Sequence, residues 1–114
     1  MRKEQSDLDV PLPDKTEGKA YLRALREHLP TIIDSHMPDM IFYLAGVDVL
    51  ETDKLGRLAL TKSETRERDN FVLTTAHNAR IPVAVAMGGG YSERIADIVE
   101  AHANTFRVAQ EVFF

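Results

Sequence analysis

A chain of 114 residues has room for one compact domain and one core. With 44% apolar and 28% charged residues it reads as an ordinary soluble globular sequence; 14 Lys and Arg against 18 Asp and Glu, with no basic block, argue against a phosphate-driven grip on nucleic acid. The absence of cysteine rules out disulfides, thiolate zinc sites and cysteine nucleophiles, so any metal must be held by Asp, Glu or His.

Residues 1–15 are polar at first and then carry Pro11 and Pro13, which predicts an extended lead-in. Thr16 is a candidate N-cap for a helix over about 17–36, whose apolar face is Leu22, Leu25, Leu29, Ile32, Ile33 and Met37. Pro30 removes one backbone donor within it, predicting a kink or two helices meeting at Leu29. The apolar run Met40 to Leu44, bounded by Pro38-Asp39 and Gly46, predicts a strand buried on both faces.

Thr61-Lys62-Ser63-Glu64 has the spacing of a capping box, opening a second helix that runs to about Ala79. Its first half, Glu64 to Asp69, is almost entirely charged and is expected to face water, leaving Phe71, Val72 and Ala76 to pack. Ile81 to Met87 is a second buried-strand run, broken by Gly88-Gly89-Gly90. Ser92 is a candidate N-cap for a third helix with apolar positions Ile95, Ile98, Val99, His102, Phe106, Ala109, Val112 and Phe113.

Strand, helix, strand in that order predicts a βαβ unit with parallel strands, hence an α/β fold. Two parallel strands make a poor sheet by themselves, so the chain reads as incomplete: a piece of a larger α/β protein, or one that lends its strand edges to another chain. Ligands of open α/β sheets gather beyond the carboxyl ends of the strands, where Asp48 follows the first strand and the glycines and Tyr91 follow the second. Asp48 there is either a functional carboxylate or the cap of its own loop. The triple glycine is either a close-packed loop or a phosphate cradle at the amino end of the third helix. No stretch approaches the about 18 apolar residues of a membrane span, and no apolar run follows the charged amino terminus, which sets the expectation of a cytoplasmic protein without membrane contact.

The string Asp39 to Thr61, containing Ala45-Gly46-Val47-Asp48 and Asp53-Lys54-Leu55-Gly56, followed about thirty residues later by Gly88-Gly89-Gly90-Tyr91, resembles the carboxyl-terminal third of the histone deacetylase superfamily. Class IV and its bacterial relatives look nearest, and the lead-in Asp9 to Pro13 and the segment Tyr91 to Ala96 extend the likeness over nearly the whole chain. The resemblance implies a three-layer, parallel-sheet α/β fold of the deacetylase and arginase kind, of which only the last strands and helices are present. It implies that Asp48 is a ligand to a catalytic Zn²⁺ and that Tyr91 is the catalytic tyrosine whose hydroxyl hydrogen-bonds the substrate carbonyl and oxyanion. It also implies that Gly88, Gly89 and Gly90 wall the acyl channel as substrate-binding residues, and that Asp53 and Gly56 are structural. Thr52 departs from the family, which usually has glycine there; a positive φ at that position would strain the loop.

Also missing are the histidine pair and the Asp-x-His motif that the family places upstream. Asp34-Ser35-His36 has the spelling of the latter but falls before the first strand, on the wrong side to meet Asp48; a solvated helix end suits it better. His28 and His77 are expected on helix surfaces and His102 as a satisfied, partly buried side chain; Arg66-Glu67-Arg68-Asp69 reads as a solvated face. The sequence thus points to the carboxyl-terminal segment of a zinc-dependent deacetylase acting on acetyl-lysine or a related acyl amide. Alone it is expected to be inactive, to hold no zinc tightly and to form a homo-oligomer. The alternatives are a non-catalytic self-associating α/β fragment and an anion-binding module built on the glycine loop.

Overall fold

The computed structural model describes residues 8–52, 58–90 and 94–114. Its elements are β1 (Thr16–Glu17), α1 (Gly18–His36), β2 (Ile41–Gly46), β3 (Leu58–Ala59), α2 (Lys62–Asn78), β4 (Val83–Gly88) and α3 (Ile95–Phe113). β2 and β4 pair in parallel, Ile41 opposite Val83 and Gly46 opposite Gly88, with α2 as the crossover, so the α/β fold and the βαβ unit are as the sequence predicts.

The start of α2 follows its sequence signal. Thr61 caps it, its hydroxyl accepting from the Glu64 amide at 3.1 Å while the Glu64 carboxylate accepts from the Thr61 amide at 2.9 Å. That carboxylate lies where a Cβ on Gly18 would stand, so a side chain there would have to displace it from the capping box. Thr16 is not the cap of α1. Its hydroxyl turns back to the Pro13 carbonyl, Glu17 takes the cap position without a side-chain bond, and both residues are drawn into a short parallel pair with Leu58–Ala59 that the sequence did not suggest. Pro30 does not split α1, which runs unbroken to His36; the carbonyl Pro30 leaves without a donor is that of Arg26, whose side chain is exposed, so water can reach it. The cap of α3 is Arg94, and Ser92 lies outside the described residues.

Burial departs from the expected pattern in three places. First, neither strand is buried on both faces: in β2 Tyr43 and Ala45 face inward, whereas Phe42 is 75% and Leu44 78% exposed, and in β4 Ala86 and Met87 are exposed. Second, the charged half of α2 does not all face water. Thr65, Arg68 and Asp69 are buried along with Val72, Leu73 and Ala76, because they share one helical stripe and find polar partners there. Third, α3 buries Asp97, Ala101, Thr105 and Val108 against α2 and leaves Ile95, Val99 and Phe106 in solvent. The small residues on the inner stripe allow the two helices to approach closely, and the apolar stripe is left for another cover. A core cluster of Val47, Leu50 and Ala101, with Ile98 against it, lies directly beneath the carboxyl ends of β2 and β4. Among the described residues no helix is long and apolar enough to cross a membrane.

Candidate functional site

The ladder between β2 and β4 continues one step past the end of β2, where the Val47 amide donates to the Gly88 carbonyl at 3.2 Å. Val47 is fully buried, which anchors the turn and leaves Asp48 exposed beyond the strand end. The chain then folds back: the Glu51 amide donates to Leu60 at 2.8 Å and the Leu60 amide to Val49 at 3.0 Å, pinning the loop that carries Asp48 from its far side. Gly89 sits beside this carboxylate. With φ of +68°, a Cβ on Gly89 would lie 3.1 Å from the Asp48 Cβ. Gly90 has φ of +108°, and its Cβ would press within 2.8 Å of Val47. Glycine is therefore required at both positions by backbone and by space. Gly88 differs, since a Cβ there would meet nothing within 4 Å. Asp48 and the glycine turn thus open into one crevice, a cleft of about 290 Å³ whose lining includes Tyr21, Leu44, Arg68, Ala86 and Gly88.

Beneath the cleft lies a buried polar network. Asp69, with no exposed surface, accepts from Arg68 Nη2 at 2.9 Å and Nε at 3.1 Å, from the Tyr43 hydroxyl, and from Thr105 Oγ1 at 2.6 Å. Arg68 spans from this carboxylate to the Gly46 carbonyl, which its Nη1 meets at 2.7 Å, and its guanidinium stacks 5.7 Å from the centre of the Tyr43 ring. β2, α2 and α3 are tied through the Asp69 carboxylate, and Arg68 carries the tie to Gly46, two residues in sequence from Asp48. Burial pushes the Tyr43 phenol far above its ordinary range; Arg68 opposes this and Asp69 reinforces it. Burial also works against the Arg68 charge, but Tyr43 and Asp69 more than offset it and hold its pKa above the usual value.

Residues 1–106 match the histone deacetylase domain family. The chain belongs to the histone deacetylase family. It is 40% identical over 112 residues to an uncharacterized protein of Picosynechococcus sp., matching 98% of this chain and 37% of that protein. It is 31% identical over 93 residues to Histone deacetylase 2 of Arabidopsis thaliana, covering 82% of this chain and 24% of the relative. Among solved structures, acetylpolyamine aminohydrolase from Burkholderia pseudomallei superposes with a TM-score of 0.75 at 21% identity, over 92% of this chain and 29% of that one, which establishes the shared fold. The chain spans little more than a third of the length of the Picosynechococcus relative, and less of the other two.

Deacetylases of this family are generally zinc-dependent, and the donor set here can be tested against that requirement. Asp48 is an exposed oxygen donor at the cleft, but no group of three His, Cys, Asp or Glu able to hold a metal is found among the described residues. One carboxylate does not fit the three protein ligands of a catalytic zinc site, so the described residues by themselves do not make one. Tyr91, Asp53 and Gly56 lie outside the described residues. Thr52 sits in a turn and is not among the residues of positive φ, so the strain expected from its replacing glycine does not arise.

Asp34 and His36 end α1, before the amino end of β2 and so at the opposite end of the sheet from Asp48. His77 is exposed and packs edge-on against Phe113, at 5.0 Å between ring centres. Two histidines depart from expectation: His28 is half-buried in an apolar groove between the lead-in and α1, and the Nδ1 of His102 is buried without a hydrogen-bond partner. The residues that sequence reasoning missed are Arg68 and Asp69. The signal was present in the helical period, because 65, 68, 69, 72, 73 and 76 form one stripe continuous with the apolar positions.

Proposed function

We propose that this chain is the carboxyl-terminal part of a zinc-dependent deacetylase domain that, as a whole, hydrolyses acetyl-lysine or a related N-acyl amide. The observation that carries this reading is the meeting of Asp48 with the glycine turn at the paired carboxyl ends of β2 and β4, in a chain of this family. Asp48 is the metal ligand this chain contributes. Tyr91 donates a hydrogen bond to the substrate carbonyl, and Gly88, Gly89 and Gly90 keep the acyl channel free of side chains. Arg68 braces the Gly46 carbonyl and so holds the strand end from which Asp48 projects. With one ligand of at least three, the isolated chain is inactive, and its open sheet face drives it to self-associate.

Zinc content and turnover of a fluorogenic acetyl-lysine peptide test this together. The isolated chain is expected to show neither. Fused to the unmatched part of the Picosynechococcus relative, it is expected to bind zinc and turn over the peptide, with both lost in Asp48→Ala. Retention of zinc and turnover in that variant refutes the ligand role.

A further inference from the structure

Two parts of the site hang from one short stretch of chain, residues 60–62, at the start of α2. Leu60 holds the Asp48 loop, its amide donating to the Val49 carbonyl at 3.0 Å and its carbonyl accepting from the Glu51 amide at 2.8 Å. Two residues on, the Lys62 ammonium donates to the Asp97 carboxylate at 3.0 Å, joining the first turn of α2 to the first turn of α3. The Asp97 side chain is 11% exposed and that of Lys62 48%, so a nearly buried carboxylate is met by a cation that comes in from solvent. Ile98, the residue after Asp97, packs on the cluster of Val47, Leu50 and Ala101 and presses on the glycine turn. A Cβ on Gly90 would stand 3.1 Å from Ile98 and 2.8 Å from Val47. The Gly90 backbone is thus clamped between the end of β2 and the first turn of α3, with no slack to absorb a shift of that turn.

We propose that Lys62 is a positioning residue of the deacetylase site: through Asp97 and Ile98 it sets the glycine turn against the Asp48 loop, which Leu60 holds from the same stretch. The proposal rests on the assignment of Asp48 and the glycine turn to such a site. Its energetics separate position from stability. An ion pair with one half-exposed partner adds little to global stability, because water screens it and ordering a long side chain offsets the gain. The amino end of α3 also favours the Asp97 charge, and further along the bond from Thr105 to Asp69 joins the same two helices, so the effect of Lys62 is confined to the first turn. Without its ammonium nothing draws that carboxylate toward α2, and Ile98 and Gly90 move with it. Tyr91 follows Gly90 in sequence, and misplacing a reacting group by about 1 Å costs up to about a hundredfold in rate.

The test reads position and turnover separately. In the isolated, ¹⁵N-labelled chain, Lys62→Met keeps the aliphatic stem and removes the charge. It is expected to shift the amide resonances of Gly89 and Gly90 and to speed exchange of the Val47 amide, bonded to Gly88, at least about threefold. The urea midpoint and the resonances of Thr74 and Thr75 in α2 are expected to stay as in the parent. Lys62→Arg is expected to restore the glycine resonances, and Lys62→Met combined with Asp97→Asn to shift them no further than Lys62→Met alone. In the chain fused to the unmatched part of the Picosynechococcus relative, Lys62→Met is expected to lower kcat at least about tenfold, with zinc content unchanged and KM within about threefold, and Lys62→Arg to recover it. Unmoved glycine resonances, changes spread over the whole chain with a lower urea midpoint, failure of Lys62→Arg to restore the parent, an additive double variant, or an active fusion whose kcat ignores Lys62→Met overturns the proposal. A parent fusion without turnover, beside a glycine turn that moves in Lys62→Met and returns in Lys62→Arg, upholds the positioning by Lys62 and refutes the deacetylase reading instead.

Discussion

Replacing Asp69 by alanine removes the acceptor of four hydrogen bonds at once. Arg68, 3% exposed, keeps its charge and retains only the Gly46 carbonyl, while the Tyr43 hydroxyl loses its acceptor and Thr105 falls back on the Ala101 carbonyl at 3.4 Å. Breaking a buried ion pair by removing one partner costs about 3–5 kcal/mol, and each stranded buried hydroxyl about 1–3 kcal/mol. These costs overlap within one network, so the expected loss is about 4–5 kcal/mol, a large share of the roughly 5–15 kcal/mol by which a domain is stable. At about 4 °C per kcal/mol, Tm falls by roughly 16–20 °C. Urea and thermal unfolding followed by circular dichroism, at one fixed protein concentration so that association does not distort the comparison, measure this directly. The double variant Arg68→Met with Asp69→Leu removes both charges together and is expected to be more stable than Asp69→Ala. A loss under about 1 kcal/mol in Asp69→Ala, or a double variant as unstable as the two single changes summed, refutes the view that the network is a mutually dependent unit.

The glycines separate by position. Gly90→Ala is expected to destabilise the chain by about 1–3 kcal/mol through its backbone angle and its clash with Val47, whereas Gly88→Ala is expected to stay within about 0.5 kcal/mol, both read from urea midpoints. Tyr43 holds its proton in the folded state well above the ordinary phenol value of about 10, so its contribution to stability is complete below about pH 10 and is lost as pH rises through and beyond that point. Comparing urea midpoints at about pH 8 and about pH 11 is expected to show a fall in the parent that is smaller in Tyr43→Phe; equal falls in the two proteins refute this. The isolated chain is expected to sediment as concentration-dependent oligomers and Phe42→Asp as a smaller species; a parent that stays monomeric at micromolar concentrations contradicts a role for the open face in self-association.

Local chemistry made much of the fold legible. The Thr61 and Glu64 box names its own partners, and the runs around Ile41 and Val83 are short, apolar and separated by one helix, so a parallel βαβ unit follows. The juxtaposition of Asp48 with the glycine turn follows from that topology. What was hidden depends on who covers whom. In α3 the apolar stripe of Ile95, Val99 and Phe106 reads as core, but a stripe shows only that a face prefers cover, and α2 covers the smaller, more polar face instead. Arg68 and Asp69 read as solvated because charge is rarely buried; their burial depends on Tyr43 and Thr105, which are distant in sequence and become partners only once the strands and α3 are placed. The pair of β1 with β3 has no periodic signal, since two residues are too few to show one.

Residues 58–60 touch two distant parts of the chain: Leu58 and Ala59 pair with Thr16 and Glu17, and Leu60 bridges to Leu50 beside the Asp48 loop. Closing the first pair costs the entropy of a loop of about forty residues before any contact rewards it. The Leu50 bridge closes only about ten residues, so the Asp48 loop is held by the cheaper of the two closures, and the longer one ties it to the start of α1. A chain in which these bonds open keeps the carboxylate but loses its placement, and amide exchange at Glu51 and Leu60 reports how often that happens.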